Sequence, residues 1–249
     1  MSLHHSFSGK RVLVTGAGQG VGKQLVQRFY KDGAIVLALD KNQETLEQLA
    51  KEFSNVVAKV VDLSDWDATR KAIESFGDVD HVVNNAAVVM TQKLMDITED
   101  AALMHFQVNT IATLNVVQCA ARGMIERGSG GTIVNISSVV TKSAAETASM
   151  YGASKAALEA LTRSVALELG PHNIRANSIS PGLIDSPMAK LDIPTVRNMV
   201  NRFLQETVIK RAIEANEVAD LVLFLLSPLS AMITGENILI EGGRMCNCN

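Results

Sequence analysis

Cysteine is scarce in this 249-residue chain: Cys119, Cys246 and Cys248 are an odd count without the spacing of a disulfide framework, so a reducing compartment is expected. The tail Cys246-Asn247-Cys248 also lacks the further ligands of a zinc site and is assigned no function. Long hydrophobic runs are missing too, none approaching the ~20 residues that cross a bilayer. The opening MSLHHSFSGK runs straight into RVLVTG, without the charged region, apolar stretch and cleavage site of a secretory signal. A soluble, cytoplasmic protein is therefore expected. Nor is there an excess of one charge. With 23 basic and 26 acidic residues spread along the chain and a net charge of −3, no basic face for nucleic acid and no polybasic membrane segment is expected. Repeats, low-complexity tracts and linkers are absent as well. The chain is 47% hydrophobic, enough at this length for one α/β domain over 1–249 with a full core.

Two hydrophobic periods alternate along the chain, the pattern of parallel strands separated by helices. Strands are predicted at Arg11 to Thr15, Ile35 to Leu39, Val56 to Val61, His81 to Val83, Thr132 to Ile136, Arg175 to Ile179 and Asn237 to Ile240. Most are continuous apolar runs, as strands covered on both faces should be. Helix-period segments fall at about 20–32, 43–53, 66–76, 98–127, 149–169 and 214–226. The predicted fold is a single doubly wound Rossmann domain, a seven-stranded, mostly parallel sheet with helices on both faces. Three prolines interrupt the stretch 181–210, which reads as a lid over about 183–210.

Between the first strand and first helix lies TGAGQGVG. Gly16 can make the tight turn, Gly20 lets backbone amides approach a pyrophosphate, and Gly22 permits close packing of helix on strand. Asp40 ends the second strand, where a carboxylate can accept hydrogen bonds from ribose hydroxyls and repel a 2′-phosphate, favouring NAD(H). Lys41 beside it keeps NADP(H) as the alternative, and an Asp that only closes the strand is the plainer reading. Further along, Tyr151 and Lys155 lie one turn apart on one helix face, with Ser138 thirteen residues before Tyr151 at a strand end.

The order TGAGQGVG, Asn84-Asn85-Ala86-Ala87, Asn109, Ser138 and Tyr151-x-x-x-Lys155, over nearly the whole chain, resembles the short-chain dehydrogenase/reductase family. The resemblance implies hydride transfer between a nicotinamide cofactor and an alcohol or ketone. Gln19, Val21, Asp62, Leu63, Asn85, Ala86, Pro181, Gly182, Ile184 and Ser186 are then expected at the cofactor, beside the glycines, Asp40, Tyr151 and Lys155. Gln19 stands where NADP-using relatives often place a basic residue. For Asp62 the plainer alternative is a helix N-terminal region beginning at Asp62 or Ser64. Tyr151 is implied as acid/base, its phenol drawn below ~10 by Lys155 and the oxidised nicotinamide; two to three units require roughly 3 to 4 kcal/mol. Ser138 would hydrogen-bond the substrate oxygen. Asn109 would hold a water against the lysine, with Asn115 as its competitor, while Ser137 is assigned to backbone bonding.

Stretches such as DLSDWDATRKAI and ALELGPHNIRANSISP resemble dicarbonyl and L-xylulose reductases within that family. Yet Val139, Val140, Thr147, Ala148, Val88, Val89, Met188 and Leu191 read as a mainly apolar pocket, with Val139, Ala148 and Met188 as its candidate residues, and core or lid packing is the plainer reading of the Val and Met positions. An unpaired sugar hydroxyl costs about 1 to 3 kcal/mol when buried, so a small apolar alcohol or ketone is expected and oxidation is favoured. An NADPH-dependent dicarbonyl or L-xylulose reductase is the alternative. A non-catalytic dinucleotide-binding scaffold is the reading of another class, and a reductase of acyl-carrier thioesters would need a basic patch near the lid. Wide apolar stripes on 98–127 and 149–169 fit either a second subunit or the core, and the family resemblance implies a homotetramer.

Overall fold

The computed structural model describes residues 6–185 and 194–247. Seven strands, β1 (Arg11–Thr15), β2 (Ile35–Asp40), β3 (Val56–Val60), β4 (His81–Asn84), β5 (Gly131–Ile136), β6 (Ile174–Pro181) and β7 (Asn237–Ile240), form one sheet in the order β3-β2-β1-β4-β5-β6-β7. Every neighbouring pair is parallel. Strand order reverses between β1 and β4, so the carboxyl ends of these two strands, Thr15 and Asn84, border the crevice where such sheets bind ligands.

Alternation along the strands builds two cores. Val12, Val14, Val36 and Ala38 face α1 (Gly20–Lys31), α2 (Gln43–Glu52) and α8 (Ala215–Leu226), through Leu25, Phe29, Leu46, Leu49, Val222 and Leu225. Leu13, Leu37 and Leu39 face the other layer, with Ile73 of α3 (Trp66–Glu74), Val116 and Met124 of α5 (Ala112–Arg127) and Val165 of α6 (Ser149–Leu169). Since both faces are covered, the inner strands read as unbroken apolar runs. Edge strand β3 leaves Val57 and Val60 exposed and carries Lys59 between them, a charge that discourages pairing with another edge.

Three elements depart from the sequence expectation. The helix predicted over 98–127 is α4 (Glu99–Phe106), a π-helical turn (Gln107–Ile111) and then α5. The wider turn sits between two ordinary helical stretches, which merges all three into one helix in the sequence pattern, and such turns gather at functional sites. Within 181–210 stands a thirteen-residue helix, α7 (Pro194–Glu206). Pro194 opens this helix, a position where proline's missing N–H costs nothing, and so does not interrupt it. Finally, β6 runs on to Pro181, paired with Ile240 at the end of the strand. Part of the predicted lid, with Ser186, Met188 and Leu191, lies outside the described residues.

Candidate active site

At the turn from β1 to α1, Gly16 has φ +63°, and a Cβ there would stand 2.8 Å from Ala86 Cα. A Cβ on Gly22 would overlap the Gly16 carbonyl oxygen. The turn is tied to the end of β4: Asn85 Nδ2 donates to the carbonyls of Thr15 (3.1 Å) and Gly16 (3.0 Å), and Thr15 Oγ1 accepts from the amides of Asn85 and Ala86. Gln19, at the N-cap of α1, makes no side-chain capping bond, and the first turn carries no acid. The positive end of α1, with Gly20 and Val21 in its first turn, is thus left for an outside anion. A bare backbone cradle below an uncapped helix fits a dinucleotide diphosphate.

Asp40 closes β2 against this turn. Its Oδ2 accepts from the Gly18 amide (2.9 Å) and its Oδ1 from the Asn42 amide (3.0 Å). A Cβ on Gly18 would overlap Thr45 Oγ1 and lie 3.1 Å from Asp40 Oδ2, so Gly18, given no role by the sequence reading, fixes the carboxylate against the loop. Beyond β3, Asp62 is exposed and its Oδ1 accepts from Ser64 N (2.9 Å) and Ser64 Oγ (2.7 Å). Those bonds hold its carboxyl below the usual range, with a smaller pull from Lys41. The N-cap of α3 is Asp65, which accepts from Ala68 N, so Asp62 is not the start of that helix. Leu63 is buried. Across the crevice, Pro181 ends β6, Gly182 N donates to Ile240 O (2.9 Å), and Ile184 bridges to Ile213.

Ser138, at the end of β5, is hydrogen-bonded to the Tyr151 hydroxyl from α6. Lys155 is buried, donates from Nζ to Ile136 O (2.7 Å), and holds its ammonium 5.9 Å from the Tyr151 ring centroid. The expected lowering of the phenol is corrected here. Burial pushes Tyr151 up, the Ser138 bond opposing it, and lowers Lys155 to about 7. Desolvation disfavours the charged form of each group, including the ammonium that would otherwise stabilise a phenolate.

Asn109 is buried within the π turn. Its Oδ1 accepts from Val88 N (2.8 Å), and its Nδ2 donates to Val88 O (3.0 Å) and Ser154 Oγ (3.0 Å). Its side chain therefore joins the segment after β4 to α6. Asn115 braces α5 to α3 through Trp66 O (2.9 Å), away from this cluster. Of the pocket residues, Ala148 is half-buried, whereas Val139 is only 1% exposed. Val139 turns inward behind Ser138, as an apolar residue in a short turn over the core should, and is not an open pocket surface.

Two residues at this cluster escaped the sequence reading. Glu159, one turn beyond Lys155, is buried and accepts from Ser137 Oγ (2.9 Å), Thr141 Oγ1 (2.7 Å), Lys142 Nζ (2.7 Å) and Ser180 Oγ (3.0 Å). Burial raises its carboxyl, but these bonds outweigh burial and hold it below the usual range. Ser137 keeps the expected backbone bond, to Ile179 O (2.7 Å), while its hydroxyl serves Glu159. His105 is buried on α4, its ring centroid 6.5 Å from that of Tyr151. Helical spacing was the available signal: Glu159 is four residues past Lys155, and His105 four before Asn109.

Residues 16–244 match the family described as enoyl-(acyl carrier protein) reductase. L-xylulose reductase from Homo sapiens is 41% identical over 239 residues, covering 95% of this chain and 96% of that protein. Carbonyl reductase (NADPH) 2 from Sus scrofa is 37% identical over 245 residues, 98% of this chain and 100% of the relative. A short-chain type dehydrogenase/reductase from Mycobacterium marinum superposes with a TM-score of 0.90 at 30% identity, over 97% of each chain. With its sheet order and its crevice at the ends of β1 and β4, the chain belongs to the short-chain dehydrogenase/reductase family, oxidoreductases that interconvert alcohol and carbonyl groups.

Proposed function

We propose that this oxidoreductase uses NAD(H) on a small secondary alcohol or ketone of apolar character. One observation carries the cofactor preference: both oxygens of Asp40 are anchored by backbone amides beside the glycine turn. A fixed carboxylate there favours ribose hydroxyls and repels a 2′-phosphate. Gln19 adds no positive charge to the turn. Gly16, Gly20, Val21 and Gly22 would border the diphosphate, Asp62 and Leu63 the adenine, and Asn85, Ala86, Lys155, Pro181, Gly182 and Ile184 the nicotinamide half. When bound, the nicotinamide supplies or takes the hydride.

The chain's own residues handle the proton and the oxygen. Tyr151 donates or removes the proton at the substrate oxygen, and Ser138 orients that oxygen through its hydroxyl. Lys155, lowered to about 7 by burial, exchanges its proton near neutrality, and it is the protonated form that would favour a phenolate at Tyr151. Asn109 secures the segment beside Tyr151 and completes the cluster. An apolar substrate is supported by Val88, held by Asn109, and by Val140, whose amide donates to Ser138 Oγ.

An NADPH-dependent carbonyl or L-xylulose reductase is the second reading, favoured by the names of the two curated relatives and by Lys41 beside Asp40. Recognition of an acyl carrier, which the family description names, finds less support. Near α7, Arg202 and Arg244 both pair with Glu206, and Arg211 pairs with Glu217, leaving little net positive charge for an acidic carrier. We also propose one domain, a cytoplasmic location, and a homotetramer joined through the exposed apolar side chains Leu103, Met104, Ile111 and Leu167 of α4–α6.

Separate titrations with NADH and NADPH, followed by Trp66 quenching or nicotinamide fluorescence, test the reading. NADH binding at least tenfold tighter, about 1.4 kcal/mol, is the expected result. Tighter NADPH binding would overturn the role given to Asp40 and return the second reading.

A further inference from the structure

The segment that follows β4 is held at every second amide. Val88 is gripped at N–H and C=O by Asn109, the Met90 amide donates to His105 Nε2 (3.1 Å), and the Gln92 amide donates to Thr147 O (3.0 Å). His105 and Asn109 are four residues apart and so share one face of the same helical run. Because the Met90 N–H is a donor, His105 Nε2 must accept, and the proton lies on Nδ1, which donates to Ala101 O (2.7 Å). The imidazole is therefore a neutral, single tautomer with both nitrogens engaged. Its ring meets Tyr151 at 62°, a tilted edge contact that brings this tie next to the acid/base residue. On the far side Thr147, a β-branched residue with φ +64°, is kept in a strained left-handed conformation, and its carbonyl is the group that receives Gln92.

We propose that His105 is a positioning residue for the substrate: by accepting the Met90 amide it fixes residues 88–92, with Val88, Val89 and Met90, as the wall against which an apolar substrate is set beside Tyr151. This rests on the functional reading above. Asn109 and Thr147 hold the two ends of the segment, and His105 holds its middle. Without that acceptor, the Met90 amide would be left without its partner and the middle of the wall would be free to move.

Two substitutions separate the two nitrogens of the ring. In His105→Gln the side-chain carbonyl reaches the place of Nε2 and still accepts from Met90; in His105→Asn the shorter amide reaches only the place of Nδ1 and still donates to Ala101. Hydrogen exchange of the full-length protein without ligand, read by mass spectrometry on a peptide spanning 88–92, is the first readout. At least tenfold faster exchange at Met90 in His105→Asn, with near wild-type protection in His105→Gln, is expected. Equal exchange in the two variants, fast or slow, overturns the proposal. Steady-state reduction of 2,3-butanedione with NADH is the second. A several-fold rise in KM confined to His105→Asn, with kcat within about threefold, is expected; an unchanged KM, or a loss shared by both variants, overturns the positioning role. A wild-type protein that reduces no 2,3-butanedione with either NADH or NADPH would count against the functional reading alone, since the exchange comparison still decides whether His105 holds the wall.

Discussion

The two sides of the crevice are built differently. On the cofactor side, Gly16, Gly18 and Gly22 sit where a Cβ would strike Ala86, Thr45 or the Gly16 carbonyl, and backbone atoms carry most of the contacts. On the substrate side, single long-range side chains do the holding: His105 to Met90, Asn109 to Val88, and Glu159 to Ser137, Thr141 and Ser180. A site made of close backbone approach constrains several neighbouring positions to glycine and marks the sequence locally. One braced by isolated polar side chains leaves marks that, read singly, look like any buried His, Asn or Glu.

The largest effect should divide the two sides outright. Tyr151→Phe removes the proton donor while leaving the β1–α1 turn untouched. A fall in kcat of about 10²- to 10⁴-fold is expected, with NADH affinity within about threefold of wild type. Stopped-flow turnover and a fluorescence titration on the same preparation check it. Parallel loss of affinity would mean that the sides are not separable.

Gly22→Ala probes the opposite side. The added methyl meets a backbone carbonyl with no flexible side chain to yield, so α1 must shift against β1 at a cost of about 1 to 3 kcal/mol. We expect NADH binding weakened by about tenfold to a hundredfold, measured by calorimetry, and a lower melting temperature. Wild-type affinity would show that the turn tolerates a looser approach than its geometry implies.

The same contrast explains what was legible in the sequence. Parallel strands between two helical layers were readable because Val12, Leu13, Val14 and their neighbours are apolar on both faces, and Tyr151 with Lys155 because one helical turn fixes their separation. Asp40 was found from its place at a strand end; Gly18 N–H as its partner needed three dimensions. The π turn at Asn109 was not readable, since a single wider turn between two ordinary helical stretches carries no composition of its own. Nor was the direction of Tyr151's shift, which depends on how much water burial removes and not on which residues are near.

Lys155 offers a sharper test, because its burial should oppose stability. Its folded value is lowered to about 7, well under the ~10.4 of an unfolded lysine. Below pH 7 both states carry the proton and the folded state bears the full cost of a buried ammonium. Between pH 7 and 10 the folded site is neutral while the unfolded chain still binds the proton, so wild-type stability rises with pH. Lys155→Met should therefore melt several degrees higher than wild type at pH 6, the gap narrowing toward pH 10, even as turnover is lost. A constant gap across that range in differential scanning fluorimetry would remove burial as the cause.

Glu159 gives the smallest effect, and it asks whether the substrate side is braced by charge or only by shape. Glu159→Gln keeps the size and one carbonyl acceptor but loses the second acceptor and the ion pair with Lys142, whose side chain is 40% exposed and stays solvated. A loss of about 1 to 2 kcal/mol and a kcat decline of a few-fold are expected at pH 7. Because the folded carboxyl is held below its usual range, its contribution is fully present above the ordinary Glu value of about 4.3 and fades as pH falls through the lower folded value. The difference in melting temperature between Glu159→Gln and wild type should thus be flat from pH 8 to 6 and shrink below about pH 4.5. A difference that stays constant into acid would mean that the geometry of four converging donors, and not the carboxylate charge, joins Ser137, Thr141 and Ser180 to the helix of Tyr151 and Lys155.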